Sequence, residues 1–265
     1  MYRLESIFIY PVKSLGGYSV DRCDLLQKGP QGDRRYMLVD EGGRHVTQRE
    51  LPALALFRIR PAESGFQICH DGDSVQIPDS LSAGTHVPCR IWDDEVDVVE
   101  ASETISNWIS RKADRKLRLV FFPEAHARPV DPDYRVAGEH VSLADGFPVL
   151  VIGQASLEYL NSKLASPIGM DRFRPNLVFS GGTAHVEDTW KDFSVGTATL
   201  RGVKPCARCE VPTVDQNTGR KGKEPSATLA AYRKSGHRIL FGENAVVLQP
   251  GTVSIGDTIH ISSFK

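Results

Sequence analysis

No stretch of this sequence approaches the ~18 consecutive apolar residues that a membrane-spanning helix needs, so no membrane association is expected. The opening residues, Met1 to Ser6, lack the apolar core and small-residue cleavage site of a secretory signal. Basic charge is not in excess: 32 Lys and Arg stand against 33 Asp and Glu. That balance argues against a binder of nucleic-acid duplexes, which carries a basic surplus, but it leaves room for a local basic pocket. Cysteine is sparse and odd in number, at 23, 69, 89, 206 and 209. Without an export signal the thiols are expected to be reduced and the protein cytoplasmic. The cysteines then read as free or metal-binding, not as a disulfide framework. No sequence repeat is evident between the short strands.

What is present is an ordinary globular composition, 40% apolar and 25% charged over 265 residues. That length suffices for one large domain or two ordinary ones, with a core that needs no staples. Residues 3 to 10 are β-branched and aromatic and predict a strand. Pro11 to Gly17 then forms a loop. Lys13 and Ser14 stand at a strand end beside paired glycines, a setting that suits anion contact, although a surface lysine in a turn is the plainer local reading. Residues 32 to 39 run into a second strand, Glu41 to Arg44 make a hairpin turn, and residues 45 to 48 return. Thr47 and Arg49 add a hydroxyl and a guanidinium. Further strands are predicted at 54–60, 65–68, 74–77, 86–92, 96–99 and 117–122. Their spacing of roughly 8 to 12 residues indicates a sandwich or barrel.

Ser102 offers an N-cap for a helix with Ile105, Trp108 and Ile109 on one face and basic residues at its end. The Pro-, Asp- and Arg-rich stretch 123–138 is a candidate passage between an N-terminal part, 1–120, and a C-terminal part, 121–265. Asp145-Gly146-Phe147-Pro148 precedes a strand at 149–152. A second helix follows, with Ser156 as its N-cap and Leu157, Leu160 and Leu164 as its buried stripe. Its exposed N–H groups offer a place for an anion, though capping is the ordinary role. Arg174-Pro175-Asn176 presents a fork donor and an amide just before a strand at 177–179. Trp190 and Phe193 belong to the core. Residues 197–203 form a strand, 215–219 a turn, 226–232 a short helix and 245–248 a strand. The segment from Pro250 to Ile261 reads as a strand pair closing a barrel.

The densest chemistry lies between Lys204 and Val214, where Cys206, Arg208 and Cys209 fall within four residues. One Cys-x-x-Cys supplies half of a structural zinc site, and no second pair exists. A redox dithiol of thioredoxin type opens a helix, whereas Val211-Pro212-Thr213 follows here. A single thiolate on a soft transition metal, supported by Arg208, and a pair of buried apolar thiols are also compatible with the spacing, which does not separate these two.

Several segments, in order along nearly the whole chain, are those of a known family. They are Tyr10-Pro-Val-Lys-Ser14, Gly32-Asp-Arg34, Val46-Thr-Gln-Arg49, Arg172-Phe-Arg-Pro-Asn176, Lys204-Pro-Cys-Ala-Arg-Cys209, Thr213-Val-Asp215 with Thr218-Gly219, Lys223-Glu-Pro225, and Pro250-Gly251 with Gly256-Asp257. Together they resemble the MOSC-domain family with its N-terminal β-barrel extension, and within it the amidoxime-reducing molybdenum-cofactor proteins. The resemblance implies a mainly β fold: a MOSC β-barrel over 121–265, a smaller β-rich domain over 1–120, and a few short helices. It implies a molybdenum-pyranopterin (Mo-molybdopterin) cofactor, with Cys209 as the metal ligand and catalytic residue and Cys206 as a neighbour. Lys13, Ser14, Arg34, Arg174, Asn176 and Arg208 are the implied pterin and phosphate contacts, joined by Thr47, Arg49 and Asp145. The implied activity is an oxidoreductase converting N-hydroxylated small molecules to amines. No cysteine follows 209, so a separate flavoprotein, iron–sulfur or haem carrier is expected to deliver electrons. Asp145 is one conceivable proton source. A cofactor or sulfur carrier, and a non-catalytic zinc module, are the alternatives.

Overall fold

The computed structural model describes residues 1–78 and 84–265 and shows a mainly β protein with three α-helices among them. Seven strands close a barrel. In order around it they are Val149–Gly153, Leu177–Ser180, Tyr2–Ile9, Thr258–Phe264, Trp190–Val195, Ala198–Ala207 and Arg238–Gln249, which returns to the first. Six of the seven pairings are antiparallel; Val149–Gly153 with Leu177–Ser180 is parallel. A parallel neighbour needs a crossover, and the helix Gln154–Asn161 supplies it. The first strand therefore completes a barrel otherwise built from residues 149–264.

Alternation along these strands sends Val149 and Val151, Leu177 and Phe179, Phe193 and Val195, Ala198 and Leu200, and Ala245 and Val247 into one core. The first strand breaks the period: Leu4 and Ile7 both point inward because a bulge shifts the register between Leu4 and Ser6. The outer faces are covered too. Ile152 joins Leu157, Leu160, Phe173, Leu229 and Phe241, and Val246 joins Val130 and Val141.

Residues 36–121 contribute a four-stranded sheet, Tyr36–Val39, Arg118–Phe121, Asp94–Glu100 and His86–Ile91, and a three-stranded one, Arg58–Pro61, Phe66–His70 and Asp73–Ile77. Tyr36-Met37-Leu38-Val39 is apolar throughout because both faces of its sheet are buried. Leu38 packs toward the helix Glu103–Ala113, and Met37 and Val39 toward Cys89, Ile91 and Phe122.

Several sequence expectations need correction. Residues 54–60 are not one strand. Pro52 starts a 3-10 turn over Pro52–Leu56, and only Arg58–Pro61 is extended; adjacent buried Leu54 and Ala55 show the loss of period two. Residues 45–48 return with a single bridge, Val39 to His45, and form no strand. The closing segment is not a mutual pair, because Gly251–Ser254 pairs with Arg22–Leu26 and Thr258–Phe264 enters the barrel. The Ser102 hydroxyl makes no capping bond. Ser156 lies inside its helix, not at the cap, and donates to Glu187. Glu187 also accepts from the Gly153 N–H, so the protein's own carboxyl meets that helix start.

Candidate functional site

One cavity at the barrel rim is lined by every residue singled out above: Lys13, Ser14, Arg34, Thr47, Arg49, Asp145, Arg174, Asn176, Arg208 and Cys209. Its non-atom space is about 860 Å³ with the open mouth included. The lining comes from four separated parts of the chain, residues 13–49, 144–150, 173–176 and 206–211, together with Asn244.

The basic wall begins where the first barrel strand ends. Tyr10 is buried, with the Arg34 guanidinium 4.4 Å and the Arg174 guanidinium 4.3 Å from its ring centroid. Two cations thus pack against one aromatic ring. Ser14, Arg34 and Arg174 all have positive φ, at 70°, 46° and 56°. Three non-glycine residues in this conformation at one site are uncommon, and such strain concentrates at functional positions. Arg34 is fixed by Asp33, whose two oxygens accept at 2.8 and 2.7 Å, and by the Arg174 carbonyl at 3.0 Å. Asp33 also accepts the Tyr10 N–H at 2.8 Å. Burial pushes the Tyr10 hydroxyl up to about 12 against the pull of both arginines. Burial, reinforced by the neighbouring Arg34 charge, lowers Arg174 to about 10.

Lys13 is buried and donates to the Leu143 carbonyl at 3.0 Å and to Asp145. Burial lowers its pKa, with Asp145 opposing. Asp145 presents 61% of its side chain toward the open mouth. Burial acts to raise its carboxyl, but Lys13, Arg49 and the Trp92 N–H outweigh it and hold the group well below the usual carboxylate range. Trp92 donates to Asp145 at 3.3 Å, and the Arg49 guanidinium lies 4.0 Å from the Trp92 ring centroid.

The opposite wall is the end of the strand Ala198–Ala207 and the turn after it. Arg208 donates to the Phe173 carbonyl at 2.8 Å and to the Cys206 sulfur at 3.1 Å. The expected support of the metal-binding thiol by Arg208 is therefore redirected: the hydrogen bond goes to Cys206. Burial pushes the Cys206 thiol up, and Arg208 opposes it. Cys209 is half-buried and accepts or donates no hydrogen bond among the described residues.

Two of the gathered residues are already engaged. Asn176 accepts from the Leu150 N–H at 3.2 Å and donates to the Phe8 carbonyl at 3.3 Å, while the Thr47 hydroxyl accepts the Arg49 N–H at 3.3 Å. Other groups are left open. Arg49 Nε, Arg174 Nη2 and Arg208 Nε are buried without hydrogen-bond partners among the described residues. Buried N–H groups of this kind are costly unless a ligand meets them. Five cationic side chains against the single carboxylate Asp145 line the space. The arrangement can hold an anion bearing several acceptors, and Cys209 offers a thiol to a soft metal.

Sequence reading missed Tyr10, Trp92 and Asn244 as parts of the site. Tyr10 was visible as the aromatic before Pro11-Val12-Lys13; Trp92 closes a strand at a turn, where nothing local shows that it meets Arg49.

A basic, thiol-bearing cavity on the rim of a closed barrel is the setting of a cofactor- or metal-binding β protein. The chain belongs to the MOSC family: residues 138–260 match the MOSC domain, and residues 1–115 match the MOSC N-terminal beta barrel domain. It is 31% identical to mitochondrial amidoxime-reducing component 1 of Homo sapiens, over 97% of this chain and 82% of that protein. The same protein of Danio rerio is 29% identical over 97% of this chain and 84% of its own length. The molybdenum cofactor sulfurase of Oryza sativa subsp. japonica is 32% identical over 90% of this chain, which spans 32% of that longer protein. No helix among the described residues is long and apolar enough to cross a membrane.

Proposed function

We propose that this chain is a molybdenum-cofactor-dependent oxidoreductase that reduces N-hydroxylated small molecules (amidoximes, hydroxylamines or N-hydroxylated bases) with electrons from a separate redox protein. The observation that carries the reading is the cavity itself: three arginines that each keep a buried N–H without a partner among the described residues, and one uncommitted thiol, line the same space. Those groups fit a pyranopterin phosphate and its metal. Arg49, Arg174 and Arg208 have donors to spare for the anionic and acceptor-rich part, with Lys13, Ser14 and Arg34 beside them. Cys209 would hold the metal through sulfur. Asn176 and Thr47 shape the wall through bonds within the protein. When bound, the cofactor supplies two-electron redox chemistry at molybdenum. The names of the amidoxime-reducing relatives support the substrate class.

The chain's own residues position and tune. Arg49 packs on Trp92, and Asp145, kept ionised by Lys13 and Arg49, accepts the Trp92 N–H beside it. A carboxyl held this low is not a proton donor near neutrality, so Asp145 is not the general acid.

A second reading, a carrier of the cofactor or of sulfur, is favoured by the similarity to a sulfurase and by the second thiol, Cys206, beside an arginine. The zinc-module reading loses ground, because Cys206 and Cys209 belong to no group of three metal-ligating side chains among the described residues. The test is expression in a host that makes the cofactor, followed by metal and pterin analysis and an assay with an artificial electron donor and a simple amidoxime. Molybdenum, pterin and turnover together support the reductase. Molybdenum-loaded protein without turnover, combined with full cofactor retention in Cys209→Ala, rejects it.

A further inference from the structure

A second cluster of ligating side chains lies outside this cavity. His86 opens the strand His86–Ile91, Asp97 is in the strand Asp94–Glu100, and His126 is in the loop that follows Phe122. The strands pair with His86 opposite Val99, so Asp97, two residues away, is a diagonal neighbour on the same face. His86 Nδ1 is 2.7 Å and His126 Nε2 is 3.9 Å from the same Asp97 oxygen. One ligating atom from each of the three lies within 4.8 Å of the other two.

The tautomer of His126 is set by its neighbour. Its Nδ1 stands 2.8 Å from the Asp97 backbone carbonyl, which only accepts. Nδ1 therefore donates, and Nε2 is the nitrogen that faces the carboxylate. A histidine whose other ring nitrogen donates to a carbonyl is oriented as metal-ligating histidines are. The adjoining cleft is lined by Asp93, Asp94, Glu95 and Asp97, and its one arginine, Arg128, is paired with Asp94 at 2.6 Å. The local field therefore favours a cation.

We propose that His86, Asp97 and His126 form a zinc site, with solvent completing the coordination. Two imidazoles and a carboxylate are a zinc ligand set. Ligand atoms about 2.0–2.1 Å from a tetrahedral ion lie roughly 3.4 Å apart, a value that the observed 2.7 and 3.9 Å bracket. His86 gives up its hydrogen bond to Asp97 when the ion enters, and its ring proton shifts through solvent from Nδ1 to Nε2. The side chains of His86 and Asp97 are 60% and 53% exposed, so small rotations suffice and no core group moves. An ion here ties the loop carrying His126 to the sheet. Two residues on, Arg128 donates to the carbonyls of Ala144 at 2.6 Å and Asp145 at 3.2 Å, at the edge of the large cavity.

The test titrates the full chain with zinc chloride against a chromophoric chelator. One zinc should remain bound in a Cys206→Ser/Cys209→Ser variant, which removes the other zinc candidate. Affinity should fall by at least about tenfold in His126→Ala and in Asp97→Asn, and magnesium should not compete. Zinc should also raise the Tm of the double-serine protein, and adding His126→Ala should remove that rise, read as the difference between the zinc-bound and zinc-free Tm of the same variant. Zinc affinity that survives both His126→Ala and Asp97→Asn, or that disappears in the double-serine variant, overturns the proposal.

Discussion

On the basic wall of the cavity, Arg34 is held by Asp33 and by the Arg174 carbonyl, Tyr10 packs against two guanidinium groups, and Lys13 is bonded to Leu143 and Asp145. On the opposite wall Arg208 ties up Cys206, while Cys209 is left with no hydrogen bond among the described residues. One wall is braced before any ligand arrives; the other ends in a free sulfur. The difference separates two tasks. Buried like charges must be held by the protein at a fixed geometry, whereas a metal ligand must have its lone pairs uncommitted. Cys23 and Cys89 sharpen the contrast: they are buried in cores, and burial pushes their thiols up to about 12 and about 11. They are packing residues.

The comparison breaks most sharply at Cys209. Cys209→Ala should lower the proposed reductase activity by more than about a thousandfold with little change in Tm, because the thiol makes no hydrogen bond among the described residues. Cys206→Ser should cost within about tenfold, since its partner Arg208 keeps its bond to Phe173. Equal losses in the two variants, measured as kcat/KM and molybdenum content, would erase the asymmetry between the thiols.

On the braced wall the largest effect should be on stability. Asp33→Ala strands the Arg34 guanidinium and the Tyr10 N–H in a buried setting, and removing one partner of such a pair costs about 3–5 kcal/mol. Chemical denaturation of cofactor-free protein checks this. Arg174→Met should act on binding as well. It relieves repulsion with Arg34 but leaves the Leu15 carbonyl without its donor, so the cofactor-free protein should lose about 1–3 kcal/mol, while retention of the proposed phosphate-bearing cofactor weakens by about 1.5–3 kcal/mol. Pterin content after gel filtration reads that loss.

A pH-dependent effect lies beneath the thiol wall. Glu243, opposite Pro205 in the neighbouring strand, is buried, and burial pushes its carboxyl up to about 8 despite Lys265. The folded state keeps this proton where the unfolded carboxyl, with its ordinary value of 4.5, has lost it. Its contribution to stability is therefore present at low pH and declines as pH rises from about 4.5 to 8. Glu243→Gln should flatten that slope in a pH series of unfolding curves; an identical slope would show that Glu243 does not titrate there.

Much of this site was legible because its chemistry sits in short, distinctive segments. Lys13-Ser14, Arg34, Arg174-Pro175-Asn176 and Arg208-Cys209 each carried a signal, and the fold brings them to one cavity. The barrel was legible from strand spacing, yet its closure was not. Nothing local tells Tyr2–Ile9 to pair with Leu177–Ser180 and Thr258–Phe264, or Gly251–Ser254 to pair with Arg22–Leu26. Pairing is a property of distant partners. For the same reason Asn176 read as a ligand amide, although Leu150 and Phe8 take up its carbonyl and one N–H. Ser156 read as a cap because the residue that claims its hydroxyl, Glu187, is 31 positions away.

The most direct test is the metal and pterin content of the full chain purified from a host able to make the cofactor. The account predicts molybdenum and pterin in equal amounts near one per chain, with molybdenum lost in Cys209→Ala and retained in Cys206→Ser. Zinc bound through Cys206 and Cys209, with no pterin, would contradict it.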